Sequence, residues 1–277
     1  MIGVLAAVAA IEVGLPLVLW FARDRIMFFP SAEPTAAEGL PGFRAGVDAH
    51  LVEVVRPDGR RLAAYDVRPS GSADGGPVVL YLHGNAGNLA MRAPMLGEFA
   101  RGTGCRVLAP DWSGFGGNEG SPSEREVVAD GLAAFDHLRA AGVPAARIVL
   151  YGESIGGAVA LAVAAERPCA GVVAQSSFSS LSSMALKVYP WLPLTALLAR
   201  GSFPSAERAR ALRSPLLVVH GTRDTIVPFA EGEKLKAAAG ERGELLRIEG
   251  ADHNDLLFLA GDEYLAGLAE RFRRWTQ

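Results

Sequence analysis

The sequence predicts an α/β domain, a mostly parallel central sheet with helices on both of its faces. Three observations carry that prediction. Short apolar runs bounded by turn residues recur along the chain, "GPVVLYLHG", "CRVLAPD", "RIVLYGE", "AGVVAQS" and "SPLLVVHG", as expected of strands buried on both faces of a sheet. Between most of them lie segments of helical length and pattern, so strand and helix alternate as in βαβ units. Polar clusters fall at the carboxyl ends of the runs, where open α/β sheets bind their ligands.

Composition fits one domain of this kind. The chain has 277 residues, half of them apolar and 21% charged, enough for a sizeable core. Thirty acidic against 27 basic side chains leave a formal net charge of −3, which argues against a nucleic-acid partner held by phosphate contacts. Cys105 and Cys169, the only two cysteines, each edge an apolar run. They read as buried small residues, not as a disulfide framework or a zinc site.

In chain order, the first element is residues 2–22, "IGVLAAVAAIEVGLPLVLWFA", with one charge, Glu12, and with Arg23, Asp24 and Arg25 behind it. At helical rise this stretch matches a hydrocarbon core of roughly 30 Å. Glu12 costs about 2.5–3.5 kcal/mol on insertion, which the aliphatic residues offset. No basic residue precedes the stretch and no small-x-small cleavage site follows it. Residues 1–25 are therefore expected to be a single-pass membrane anchor, and residues 26–277 the functional domain. Trp20, Phe21, Phe28 and Phe29 around the arginines suit an interfacial belt, and Arg23 and Arg25 point to a cytoplasmic domain. A helix packed on the domain or on a dimer partner, or a signal peptide, are the alternatives to the anchor, and docking of Phe28 and Phe29 onto the domain is the alternative to the belt.

Residues 30–45 read as a linker or strap. "AHLVEVVRPDGRRLAAYDVRP" gives two strands about a Pro57-Asp58-Gly59 turn. Helices are expected over 89–101, 123–140, 154–166, 229–239 and 255–275, the second opened by Ser123 with Glu126 at capping-box spacing. Residues 177–206 carry no strand pattern and read as a short cap, with Met184, Tyr189 and Trp191 among the candidates to line a substrate pocket.

Four polar clusters meet at one rim: "HGNAGN", "GESIGG", "HGTRD" and "ADHND". Gly152-Glu153-Ser154-Ile155-Gly156 sits between a buried strand and a helix, the setting of a nucleophile elbow. A turn that sharp presses the two backbones together, so the positions two before and two after the serine must be small. A serine hydroxyl needs a base, and histidine is the usual one. His50 lies in the hairpin and His137 on a helix; His83 and His220 end strands, where they can brace loops. His253, in the loop after the last strand, is the expected base. Asp224, after the penultimate strand, suits the group that orients it, whereas Asp252 and Asp255 adjoin His253 too closely in sequence. The N–H groups of Ile155 and Asn85 are the expected oxyanion donors.

"YLHGNAGN", "PDWSGFGGNEG", "GESIGG", "PLLVVHGTRDTIVP" and "ADHNDL" together resemble the α/β-hydrolase superfamily. More narrowly they resemble its serine hydrolases with an HGN oxyanion loop and an N-terminal membrane segment, a group that includes protein depalmitoylases and bacterial esterases. The resemblance covers about residues 27–275 and implies the α/β-hydrolase fold, a Ser154–Asp224–His253 triad and no cofactor. Trp112 and Phe115 stand where such relatives more often carry Tyr, a departure that bears on substrate shape. The function so implied is hydrolysis of carboxylic esters or thioesters of short to medium acyl chain, on a small-molecule or lipid substrate. A serine peptidase or amidase, or a membrane-tethered scaffold without activity, are the alternatives. Leaving group and oligomeric state are not encoded legibly.

Overall fold

The computed structural model describes residues 10–35, 43, 46–72 and 75–277. Its first elements are helix α1 (Leu15–Met27) and strands β1 (Phe29–Pro30), β2 (Val47–Val55), β3 (Arg61–Pro69), β4 (Val78–Leu82) and β5 (Ala86–Gly87). Then come α2 (Leu89–Thr103), β6 (Arg106–Pro110), α3 (Glu124–Ala140), β7 (Ile148–Glu153), α4 (Ile155–Glu166) and β8 (Gly171–Gln175). The chain continues through α5 (Leu181–Val188), α6 (Pro193–Leu198), α7 (Ser205–Ala211), β9 (Leu216–Gly221), α8 (Phe229–Ala239), β10 (Gly243–Ile248) and α9 (Leu256–Trp275).

Among the described residues, eight strands form one sheet in the order β10-β9-β8-β7-β4-β6-β3-β2. β2 and β3 make the antiparallel hairpin, and β3 also runs antiparallel to β6; every other pairing in this sheet is parallel. Period-two alternation along each strand divides the core into two layers. Leu80 and Leu82 of β4 pack in one layer with Val127 and Phe135 of α3 and Val159 and Leu161 of α4. Val79 and Tyr81 pack in the other with Leu96 and Phe99 of α2 and Leu268 and Phe272 of α9. Full burial of each large apolar side chain stabilises the fold by roughly 1.5–3 kcal/mol. α4 has no polar face, and Ile155–Val163 are all buried, because it lies between the sheet and α3 and α7.

The strand order reverses at β4. The chain leaves β4 for β6 on one side, then crosses to β7 on the other. The loops after β4 and β7 therefore part, and a crevice opens between them. Both sequence-selected glycine clusters, residues 84–87 and 152–157, lie there.

The N-terminus differs from expectation. Among the described residues no helix is long and apolar enough to cross a membrane, so the single-pass anchor over residues 2–22 is not supported; residues 1–9 lie outside the described part. α1 is 13 residues long and opens with Pro16 in its first turn, after a π-helical turn at Ala10–Gly14. Proline lacks the N–H that would continue a helix through it, so the regular helix starts there. α1 also runs past residue 25 and packs on α6 of the cap. Phe28 is buried, edge-on to Phe115 with ring centroids 6.5 Å apart; it belongs to the core, not to an interfacial belt.

Smaller expectations also shift. Ser123 accepts the Glu126 N–H at 3.3 Å, but the Glu126 carboxylate turns to Arg56 at 2.9 Å and Arg60 at 2.6 Å, leaving half a capping box. Arg56 is buried and also meets Asp130 at 2.6 Å; removing its anions would strand a charge in the core. The Asp255 side chain precedes α9 but caps no N–H of that helix; its Oδ1 accepts from Asp252 N at 2.7 Å. Both cysteines are free, Cys105 buried and Cys169 half-buried, and burial pushes the Cys105 thiol up to about 11.

Candidate active site

The strand-to-helix turn at Ser154 is built by its glycines. A Cβ on Gly152 would overlap the Gly156 backbone, and one on Gly156 would overlap the Leu82 carbonyl of β4. With both absent, β7 passes into α4 within one residue and leaves Ser154 at φ 56°, ψ −119°. Such a backbone costs a non-glycine residue on the order of 1–3 kcal/mol and persists only where its surroundings over-determine it. Here Ser154 N donates to Gln175 O of β8 at 2.8 Å, and Gly157 N to Ser154 O at 3.0 Å. Gly157 is constrained from another side, since a Cβ there would meet Ser177 at 2.6 Å.

The structure brings Ser154, His253 and Asp224 into one hydrogen-bonded row. Ser154 Oγ lies 3.1 Å from His253 Nε2, and His253 Nδ1 lies 2.8 Å from Asp224 Oδ2. Asp224 Oδ1 accepts from the N–H groups of Ile226 at 3.0 Å and Val227 at 2.7 Å. Burial alone would raise the Asp224 carboxyl; hydrogen bonds from His220 and His253, with Val227 N–H behind them, overcome it and hold the group well below the usual carboxylate range. His220 also donates from Nε2 to the Val227 carbonyl at 2.8 Å. It braces the Asp224 turn from beneath, as its place at a strand end suggested. Asp252 faces away from the His253 ring: its Oδ1 accepts from Thr225 N at 2.8 Å and His253 N at 2.7 Å. It ties the histidine loop to the aspartate loop.

Of the remaining histidines, His50 is exposed in β2, and His137 is half-buried on α3. His83 is buried, with Nδ1 2.7 Å from the Gly84 carbonyl and Nε2 3.0 Å from Asp111 Oδ1. Burial lowers its pKa, and Asp111 opposes that shift. Trp112 and Phe115 pack on its ring with centroids 4.9 and 5.4 Å away and are themselves buried. Their departure from the family pattern therefore bears on support of the loop after β4, not on an open substrate surface.

The two expected oxyanion donors flank the crevice. Ile155 opens α4, and the first N–H groups of a helix have no intrahelical acceptor and point along its positive end. Asn85 lies three residues past the end of β4, just before β5. The Gly84 carbonyl of the Gly84–Asn85 peptide faces the His83 ring, so in a trans peptide the Asn85 N–H is directed the opposite way.

A cleft of about 220 Å³ runs between α1 and the cap, lined by Leu19, Trp20, Met27, Met184, Val188 and Tyr189 among others. Met184 and Tyr189 thus share one apolar wall. Trp191 does not join them; it is 57% exposed beyond the cleft. Glu231 of α8 pins the base of the cap, accepting from Ser179 N at 2.9 Å and Ser183 Oγ at 2.7 Å. No sequence signal singled it out, since one glutamate on an exposed-looking helix is unremarkable. Among the described residues no cluster of His, Cys, Asp and Glu could hold a metal ion.

A family model described as alpha/beta hydrolase fold matches residues 77–206. The chain is 41% identical over 261 residues to an uncharacterized protein of Mycobacterium tuberculosis, covering 93% of this chain and 90% of that one. It is 33% identical over 197 residues to the human alpha/beta hydrolase domain-containing protein 17C, covering 69% of this chain and 56% of that one. Among solved structures, an esterase of Pyrococcus furiosus superposes with a TM-score of 0.69 at 20% identity, covering 90% of this chain and all of that one. An esterase from the bacterial hormone-sensitive lipase family gives 0.67 at 23% identity, covering 85% and 86%. At these identities the structural likeness speaks to the fold.

Proposed function

From the match of residues 77–206 to the alpha/beta hydrolase fold we propose that this chain is a serine hydrolase of carboxylic esters or thioesters. The observation that carries the reading is the row Ser154–His253–Asp224 at 3.1 and 2.8 Å, with the serine held at φ 56° over the crevice. Esterases among the structural neighbours fit the same reading.

In this reading Ser154 Oγ attacks the acyl carbonyl carbon while His253 Nε2 takes the hydroxyl proton. Asp224, kept ionised by its hydrogen bonds, orients the ring through Nδ1 and stabilises the imidazolium. The N–H groups of Asn85 and Ile155 receive the developing oxyanion; such a donor is worth roughly 10²–10³ in rate. Collapse of the tetrahedral intermediate breaks the acyl–oxygen or acyl–sulfur bond, and His253 returns the proton to the leaving group. Water, deprotonated by the same nitrogen, then frees the acid from Ser154. An apolar acyl chain of short to medium length suits the cleft walled by Met184, Tyr189 and Met27.

The test is labelling by a fluorophosphonate, which reports an activated serine without knowledge of the substrate, followed by a panel of esters and thioesters of graded chain length. Wild type should label and hydrolyse. Ser154→Ala should neither label nor retain turnover, a loss on the order of 10⁶ in kcat. An unlabelled wild type, or an alanine variant that keeps more than about a tenth of the rate, overturns the assignment.

A further inference from the structure

The loop that bears Asn85 is held by the N-terminus of the chain. Residues 27–35 run alongside it as a strap, and β1 pairs with β5 in parallel, Phe29 opposite Ala86 and Pro30 opposite Gly87. Phe29 N donates to the Asn85 carbonyl and Ser31 N to the Gly87 carbonyl, each at 2.8 Å. The Asn85 side chain reaches back, Nδ2 donating to the Met27 carbonyl at 2.5 Å, and Asn88 Nδ2 donates to the Glu33 carbonyl at 2.9 Å. The strap is itself anchored. Phe28 is buried against Phe115, Gly116 N donates to Ser31 O at 2.9 Å, and Thr35 N to Gly116 O at 3.0 Å. Thr35 Oγ1 donates to Asp111 Oδ2 at 3.0 Å, the same oxygen that accepts from Leu89 N at the start of α2.

These bonds hold the Asn85 carbonyl and its side-chain Nδ2. Its carbonyl is taken by Phe29 and its amide side chain by Met27, while the preceding carbonyl faces His83. Both peptides of Asn85 are thus held, and its backbone N–H points away from the His83 ring. We propose that the strap Met27–Thr35 positions the oxyanion hole, with the Asn85 side chain as the positioning group and the Met27 carbonyl as its anchor. The inference rests on the acyl-transfer reading. It adds that the N-terminal segment serves the chemistry as well as the packing.

The reason to expect a kinetic effect is that an oxyanion donor acts through its distance. A displacement of about 1 Å can cost roughly 10²-fold, because the hydrogen bond is needed at the tetrahedral oxygen and not at the ground-state carbonyl. Ground-state binding depends little on that distance. The signature is therefore a fall in kcat with KM held, which distinguishes positioning from general loosening of the domain.

The experiment compares full-length wild type, Asn85→Ala and Phe28→Ala on one soluble ester, with affinity for a trifluoromethyl ketone as a second readout. That ketone adds to Ser154 and places an oxyanion in the hole. Asn85→Ala keeps the backbone N–H and loses the anchor. It should lower kcat by roughly 10- to 100-fold, weaken the ketone by a similar factor, and leave KM within about twofold. Phe28→Ala, which unseats the strap without touching the loop, should act in the same direction. The double variant should lose less than the product of the two singles. Unchanged kcat in Asn85→Ala, or a loss in KM with ketone affinity intact, overturns the proposal. A wild type without ester turnover or ketone binding instead overturns the acyl-transfer reading beneath it.

Discussion

Two buried histidine–aspartate pairs stand on opposite sides of the crevice, His253–Asp224 above Ser154 and His83–Asp111 beneath the loop after β4. Their nitrogen–oxygen distances are nearly the same, 2.8 and 3.0 Å, and all four residues are buried. What differs is the far nitrogen. His253 Nε2 meets the Ser154 hydroxyl, a group with a proton to give. His83 Nδ1 meets the Gly84 carbonyl, which only accepts. A paired imidazole is thus a base or a brace according to its second partner, and proximity to a carboxylate does not decide between them.

The sharpest way to break this comparison is to disable the carboxylate of each pair. Asp224→Asn should cost about 10⁴ in kcat, because an amide presents the wrong partner to Nδ1 and turns the ring or its tautomer. Asp252→Asn, whose bonds go to Thr225 and the His253 backbone, should cost less than about tenfold. Steady-state rates on a soluble ester decide it; comparable losses at both positions would mean that the His253 loop, not the ring partner, controls the chemistry.

Asp111→Asn should have a smaller effect of another kind. The carboxylate gathers the His83 ring, Leu89 N and Thr35 Oγ1, so its loss shifts the loop after β4 and frees the strap. A fall in kcat of roughly 10- to 100-fold is expected, with KM nearly constant. The melting temperature should drop as well, since a buried group left without its partner costs about 1–3 kcal/mol. If Asp111→Asn matched Asp224→Asn in depth while the protein stayed fully folded, the division into base and brace would fail.

What was legible beforehand follows the same division. Ser154, Asp224 and His253 could be read because each sits at a strand end in an order set by topology, and because Gly152 and Gly156 mark a backbone that only glycine permits. The strap could be read only in outline, as a linker or strap over residues 30–45; its pairing with the loop after β4 could not. Residues 28–35 carry no periodicity, β1 and β5 are two residues each, and their bonds join segments more than fifty residues apart. Arg56 was equally hidden: beside Pro57-Asp58-Gly59 it looks like a solvated turn charge, yet it is buried on Asp130 and Glu126. The apolar run at 2–22 shows a limit of hydropathy, which averages over Pro16 whereas the regular helix α1 has this proline in its first turn.

The smallest effect asks whether the pair facing Ser154 also stabilises the fold. Asp224 is held below the usual carboxylate range in the folded protein, whereas in the unfolded chain it titrates near about 3.9. Between these values the unfolded state binds more protons than the folded one, so stability rises with pH there. The contribution of the ionised carboxyl is thus fully present above about pH 4 and is lost as the pH falls toward the folded value. Wild type and Asp224→Asn, unfolded in urea at a series of pH values, should differ in stability at about pH 5, where the Asp224 carboxyl is ionised in both states. Below about pH 4 the gap should close, because only wild type has this ionised group to lose. A gap that stays constant to the acid limit, or that widens there, would mean the Asp224 bonds serve geometry alone. In that case the His253–Asp224 pair would differ from His83–Asp111 in its energetics as well as in the second partner of its ring.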